Sequence, residues 1–224
     1  MLPLSSNETQ SASYRTVVRH HWRSLLIVAT GTFSFVLGSA TIQSWGQTLL
    51  HEGYLLSTTT VATLFMFVSL ADLLGRLGVA WLADKIGRRP TLLMCGVLGA
   101  SGALLVAWSA SLGADGSWIV FFGGIVIAMA FGDGAFGILN TFGAEQFPNE
   151  VRATGLGLGY GIGASAKIIG PMLMGLLIGG SAVRPTVTLN AVVPAFNVFA
   201  ILLLAGGVIY MFAEETNGKS LDAR

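Results

Sequence analysis

Seven residues, Asp84-Lys85-Ile86-Gly87-Arg88-Arg89-Pro90, carry four charges and stand between two long apolar runs. In a chain with only 10% charged residues, that knot dictates what can form around it. The run from about Ser57 to Ala83 and the run from about Thr91 to Ser111 are each long enough to cross the roughly 30 Å hydrocarbon core of a bilayer. The pair therefore reads as a hairpin of two membrane helices with a tight cationic turn. Lysine and arginine near span ends set orientation, so this turn is expected on the cytoplasmic side.

Composition supports lipid as the solvent. Of 224 residues, 53% are hydrophobic and 30 are glycine, with a mean hydropathy of +0.73. A water-soluble domain would carry about 25% charged residues. The formal net charge of +1 offers nothing to a nucleic acid, and none is expected as a partner. The single Cys95 lies in an apolar run and cannot form an intrachain disulfide.

Residues 1–20 read as a disordered cytoplasmic tail, polar through Ser5, Asn7, Glu8 and Gln10. Arg15, Arg19, His20, His21 and Arg23 precede an apolar run from Leu25 to about Trp45. A cleavable signal peptide could share that pattern, with Gly38-Ser39-Ala40 as its small-residue site. The apolar run continues past those residues, however, and further spans follow. The other runs are about Ser57–Ala83, Thr91–Ser111, Trp118–Phe142, Thr154–Gly180 and Asn190–Phe212. The fold class is thus all-α: a polytopic membrane protein with a six-helix bundle over 21–213 and a short cytoplasmic tail over 214–224. Arg15, Arg19, Arg23, Lys85, Arg88, Arg89, Arg152, Lys219 and Arg224 fall on one side and only Arg184 on the other, placing both termini inside. The setting is a cell membrane.

The glycines at 155, 157, 159, 161 and 163 superficially resemble a phosphate-binding loop. No strand precedes them, so the nucleotide reading fails its context. Spaced four apart, they instead suit close helix packing in lipid. Gly170-Pro171 marks a kink in the same run.

Four ionisable residues fall inside spans: Asp72, Arg76, Asp133 and Lys167. Each costs about 2.5–3.5 kcal/mol at a helix centre, so each must face the bundle interior or a wet cavity. Asp72 and Arg76, one turn apart with the acid first, suit an ion pair; Arg76 could instead reach toward the inner headgroups. Asp133, between Gly132 and Gly134, has no charged partner within a turn of its own helix. A poorly solvated carboxylate takes up a proton readily, the property a reversible proton carrier needs; a local structural bond is the competing role. Lys167 lies about 20 Å along its helix, near the midplane, and suits an anionic substrate or a neighbouring acid. Gln43, Asn140 and Asn197 are uncharged candidates for the same pathway, or for helix–helix hydrogen bonds. No catalytic nucleophile–base pair, metal-ligand set or cofactor motif occurs, and no enzyme is expected.

The charged turn resembles the cytoplasmic loop signature of the major facilitator superfamily, here Asp84, Lys85, Gly87, Arg88 and Arg89, with Ala80 where a glycine is usual. Glu145-Gln146-Phe147-Pro148-Asn149-Glu150-Val151-Arg152-Ala153-Thr154-Gly155 is similar to a second inner-loop element of the sugar-porter and metabolite-symporter branch. Glu215-Thr216-Asn217-Gly218-Lys219 is similar to its tail after the final span. In this order the motifs match the carboxyl-terminal half of a twelve-span transporter. The resemblance implies alternating-access transport of a sugar, organic acid or similar small metabolite, with protons as coupling ion. Asp84, Lys85, Gly87, Arg88, Arg89, Glu145, Pro148 and Arg152 would then form a cytoplasmic gate. It also implies a second six-helix bundle, from a further copy or a separate amino-terminal half. A non-transporting membrane subunit, or a fragment of a longer transporter, is the alternative.

Overall fold

A computed structural model gives the fold and describes residues 14–178 and 189–218. Six helical stretches are long and apolar enough to span a membrane: Trp22–Gly53, Thr58–Ile86, Arg88–Ser111, Trp118–Glu145, Arg152–Leu177 and Leu189–Tyr210. They coincide with the six expected runs, and the described residues contain no strand. The chain is an all-α multi-pass membrane protein. Its elements are α1 (Trp22–Thr48), α2 (Thr58–Ile86), α3 (Arg88–Ser111), α4 (Trp118–Ile127), α5 (Phe136–Glu145), α6 (Arg152–Ala164), α7 (Ala166–Ile178) and α8 (Leu189–Tyr210).

The charged turn is tighter than its seven residues suggest. Helix α2 runs through Ile86 and α3 starts at Arg88, so one residue joins them. That residue, Gly87, has φ of 99°, a backbone state side chains resist, which accounts for glycine there. The Gly87 N–H donates to Ala83 O, and the Thr91 hydroxyl donates to Gly87 O. Pro90 falls in the first turn of α3, where its missing N–H leaves no bond unmade.

Three differences from the sequence reading stand out. Residues 14–20, assigned to a disordered tail, are helical. Val17 is fully buried there against Val28, Phe147 and Val151, an anchor that polarity-based reading overlooks. Residues 1–13, Arg184, Lys219 and Arg224 lie outside those described. In the fifth span, the interruption falls at Ser165 rather than at Gly170-Pro171, and α7 continues through Pro171. Pro171 cannot donate to the carbonyl at Lys167 and crowds it. The strain is taken up one turn earlier, where Ser165 N donates to Ile162 O and Ile168 N to Ser165 O in tight three-residue turns. The fourth span contains a π-helical turn, Ala128–Asp133, between α4 and α5.

Helices α1 and α3 form the interior, α3 against α8 and α1 against α6 and α8. The first span is 67% buried over its most apolar stretch, but the second and fifth only 17% and 22%. Those two spans therefore border the open face. Along the fifth span the glycines divide into two stripes. A Cβ on Gly159 would come 2.8 Å from Val28 and one on Gly163 2.6 Å from Thr32, so this stripe seats α6 on α1, as the spacing implied. A Cβ on Gly157 or Gly161 would meet nothing within 4 Å.

Candidate functional site

Four spans converge on a cleft of about 250 Å³, and five of the seven pathway candidates line it: Gln43, Arg76, Asp133, Asn140 and Lys167. Helical periodicity puts them there. Val36, Ser39, Ala40 and Gln43 share one face of α1 at spacings of three and four. Asp133, Phe136 and Asn140 repeat the pattern where the π turn passes into α5. In the fifth span, Gly163 and Gly170 approach α1 at Thr32 and Thr41. Lys167 lies four and three residues from them, so it is turned to the same side. Tyr160, seven residues before Lys167, joins it in the lining.

Arg76 is the electrostatic centre. Its Nε donates to Asp72 Oδ1 at 3.0 Å, and its Nη2 donates to Asp133 Oδ2. The expected pair within α2 is present, and Arg76 turns into the cleft rather than toward the headgroups. Asp133 gains from a neighbouring span the partner that its own helix lacks. The two carboxylates are 19% and 14% exposed and the guanidinium 44%, so this side chain reaches an open cleft while holding two shielded acids.

A close crossing of two backbones places Asp133 beside Arg76. A Cβ on Gly137 would lie 2.4 Å from the Arg76 carbonyl oxygen, and one on Gly75 2.0 Å from the Ala130 carbonyl oxygen. Two glycines thus bring α2 and the fourth span into direct contact. The π turn, in which Gly134 N reaches back to Met129 O, widens the helix at that point. With Lys167 in the same cleft, two fixed cations balance two carboxylates.

Asn197 is exposed on α8 and is not brought to the cleft, to which neither α3 nor α8 contributes. Tyr160, Phe136 and Ser39 were not singled out from sequence, although Tyr160 shares a helical face with Lys167.

At the other polar cluster, the three motifs meet. Arg88 Nε lies 2.8 Å from Glu145 Oε2, an ion-pair contact whose N–H is not aligned on the oxygen. The Thr216 hydroxyl donates to the same carboxylate. Arg88 Nη1 lies 4.0 Å from exposed Asp84, Arg89 Nη2 donates to Met211 O, and Arg152 Nε donates to Phe147 O at 3.3 Å. Gln146 and Glu214 exchange two hydrogen bonds. Lys85 and Glu150 are exposed, outside any ion pair among the described residues. Pro148 is half-buried in the loop, where Val151 N donates to its carbonyl.

Glu215, quoted only as part of the tail motif, proves central to this cluster. Its carboxylate accepts from the backbone N–H groups of Arg88 and Arg89, capping α3, and from those of Thr216 and Asn217. Partial burial alone pushes this carboxyl up, but the four donors outweigh it and hold it below the ordinary glutamate range. Its stabilising effect is therefore complete above the unfolded-state value and is lost as pH falls through the lower folded value. Expected outcome: Glu215→Gln melts below wild type at neutral pH, and the gap closes as both are titrated into acid. A gap independent of pH would show that the charge is not what matters.

The family described as sugar (and other) transporter matches residues 3–223. The chain is 30% identical over 193 residues to the niacin transporter of Acinetobacter baylyi, covering 85% of this chain and 40% of that protein. It is 29% identical over 163 residues to the gallate transporter of Pseudomonas putida, covering 73% and 35%. A tetracycline resistance protein, class H, of Pasteurella multocida is 32% identical over 173 residues, covering 73% and 40%. The chain thus spans less than half the length of each of these relatives.

Proposed function

The chain belongs to the sugar (and other) transporter family, within the major facilitator transporters, and from that premise we propose that it supplies one bundle of a proton-coupled organic-acid transporter. The observation that carries this reading is the cleft itself, where Lys167, Tyr160 and Phe136 stand beside an arginine shared by two acids. A lysine next to aromatic rings suits an aromatic carboxylate. Niacin and gallate, named for two relatives, are both of that kind.

The charge balance suggests how a proton would be coupled. Lys167, Arg76 and Asp133 line the cleft, and Asp72, paired to Arg76 just outside it, brings the formal charge of the group to zero. A monocarboxylate bound at Lys167 adds one negative charge in a poorly solvated place. One proton on Asp133 or Asp72 restores neutrality, so one proton would accompany each anion. Asp133 spans the interface between α2 and the fourth span, so its protonation would loosen that contact and bias the access state.

Alternating access requires a second wall. Gln43, Arg76, Asn140 and Lys167 are all exposed on the same face, and charged groups there cannot be left to lipid. A second six-helix bundle would cover them and meet the open glycine edge at Gly157 and Gly161. The Arg88–Glu145–Thr216 cluster would act as the cytoplasmic gate, with both termini on the cytoplasmic side of the cell membrane.

The test is uptake into proteoliposomes containing this chain with and without an amino-terminal six-helix half. With the partner half, an imposed pH gradient should drive uptake of niacin or gallate in preference to a neutral sugar. Lys167→Met should raise KM for the carboxylate at least tenfold, while leaving the fold intact by circular dichroism. Carboxylate uptake unaffected by Lys167→Met, or neutral sugar taken up in preference to both acids, would overturn the substrate assignment. Partner binding with no uptake would instead support a non-transporting subunit. Gly157→Leu should leave the melting temperature of the lone bundle unchanged yet weaken copurification with the partner half; equal copurification would remove the glycine edge from the interface.

A further inference from the structure

A second concavity, of about 510 Å³, lies at the motif end, outside the transport cleft. Its first wall is the junction between the helical residues 14–20 and α1, with His20, His21, Arg23 and Ser24 as polar groups. Trp22 and Phe212 bring aromatic rings to it, 49% and 76% exposed. Glu214 and Gln146 form the far wall.

The helical residues 14–20 and the first turn of α1 meet at the non-helical His21. Val17 is buried and ties the entry segment to the bundle. Tyr14 and Val18 on one side of the bend, and Trp22 and Leu26 on the other, are each about half exposed. Arg15 and Arg19 before the bend and Arg23 after it are all exposed, and none joins an ion pair among the described residues. The Arg23 guanidinium sits 5.5 Å from the Trp22 ring centroid. Half-exposed apolar and aromatic side chains beside exposed arginines at a span's entry suit a segment lying in the headgroup layer, with tryptophan and tyrosine at the boundary.

We propose that this concavity is a binding site for an anionic glycerophospholipid. The phosphodiester sits on His20, His21 and Arg23, and the acyl chains run along Trp22, Ile27 and Phe212. A free dianionic phosphate fits less well, because it would meet the Glu214 charge without any apolar contact in return. The occupant also bears on the gate, because Gln146 and Glu214 adjoin Glu145 and Glu215 in sequence and are hydrogen-bonded to each other. None of this depends on what the chain transports.

Native mass spectrometry of the full chain, released from micelles doped equally with phosphatidylglycerol and phosphatidylcholine, tests the site. Wild type should retain phosphatidylglycerol at least tenfold over phosphatidylcholine. Arg23→Gln, in the lining, should cut that preference about fivefold, as expected for one basic residue at a charged surface, and adding Arg15→Gln and Arg19→Gln on the adjoining helix should lower it further. The three corresponding lysine substitutions should preserve it. Equal retention of both lipids by wild type would overturn the proposal, as would an undiminished preference in the folded triple glutamine variant. Displacement of phosphatidylglycerol by millimolar glycerol phosphate would reassign the site to soluble phosphates. If the triple variant does not fold, the wild-type lipid ratio and the single Arg23→Gln variant decide the matter.

Discussion

Arg76→Gln should abolish gradient-driven uptake by the proposed two-bundle assembly and destabilise this bundle by about 3 kcal/mol, the lower end for stranding charges in a shielded site. The guanidinium is the common partner of Asp72 and Asp133, and both acids are more than four-fifths shielded from solvent. Glutamine can still donate a hydrogen bond but leaves two carboxylates facing each other without a cation. The loss arises mainly from the stranded acids rather than from the missing contact. Arg76→Gln combined with Asp133→Asn should therefore regain most of the stability while remaining unable to couple uptake to protons. Thermal melts and uptake assays on the two single variants and the double separate these effects. A single variant as stable as wild type would show that the arginine does not hold the acids together.

Gly137→Val should be at least as damaging to the fold. The new Cβ would stand 2.4 Å from the Arg76 carbonyl oxygen, and neither backbone can rotate away as a side chain would. Overpacking that strains only side chains costs about 1–3 kcal/mol; a clash between two main chains belongs above that range. Separating α2 from the fourth span would also pull Asp133 away from Arg76, so uptake should fail even in any protein that folds. Gly157→Val is the matched control: its Cβ meets nothing, and the lone bundle should melt within a degree or two of wild type. Similar melting temperatures for the two variants would refute the close crossing.

The spans could be read from sequence because lipid imposes a length and an apolarity that few segments satisfy by accident. The Asp72–Arg76 pair could be read because both residues sit on one helix, where spacing alone decides which side chains meet. The Asp133–Arg76 contact could not, since 57 residues separate the two and the contact depends on a backbone crossing made by Gly75 and Gly137. The π turn was equally hidden, for Ala128–Asp133 reads as a continuation of the apolar run. The role of Glu215 lay beyond reach for another reason: its partners are backbone N–H groups of a helix start, which no residue type announces. Asn197 lies away from the cleft, because a polar residue in an apolar run carries no mark of which helix face it occupies.

The single-residue joint at Gly87 has a mechanical consequence. With a single residue between them, α2 and α3 cannot slide apart, and their relative movement is confined to rotation about Gly87. Arg76 sits on one arm about 16 Å from the joint, at 1.5 Å per residue. A tilt of that arm would be felt at the joint, where Glu215 grips the first two amides of the other arm.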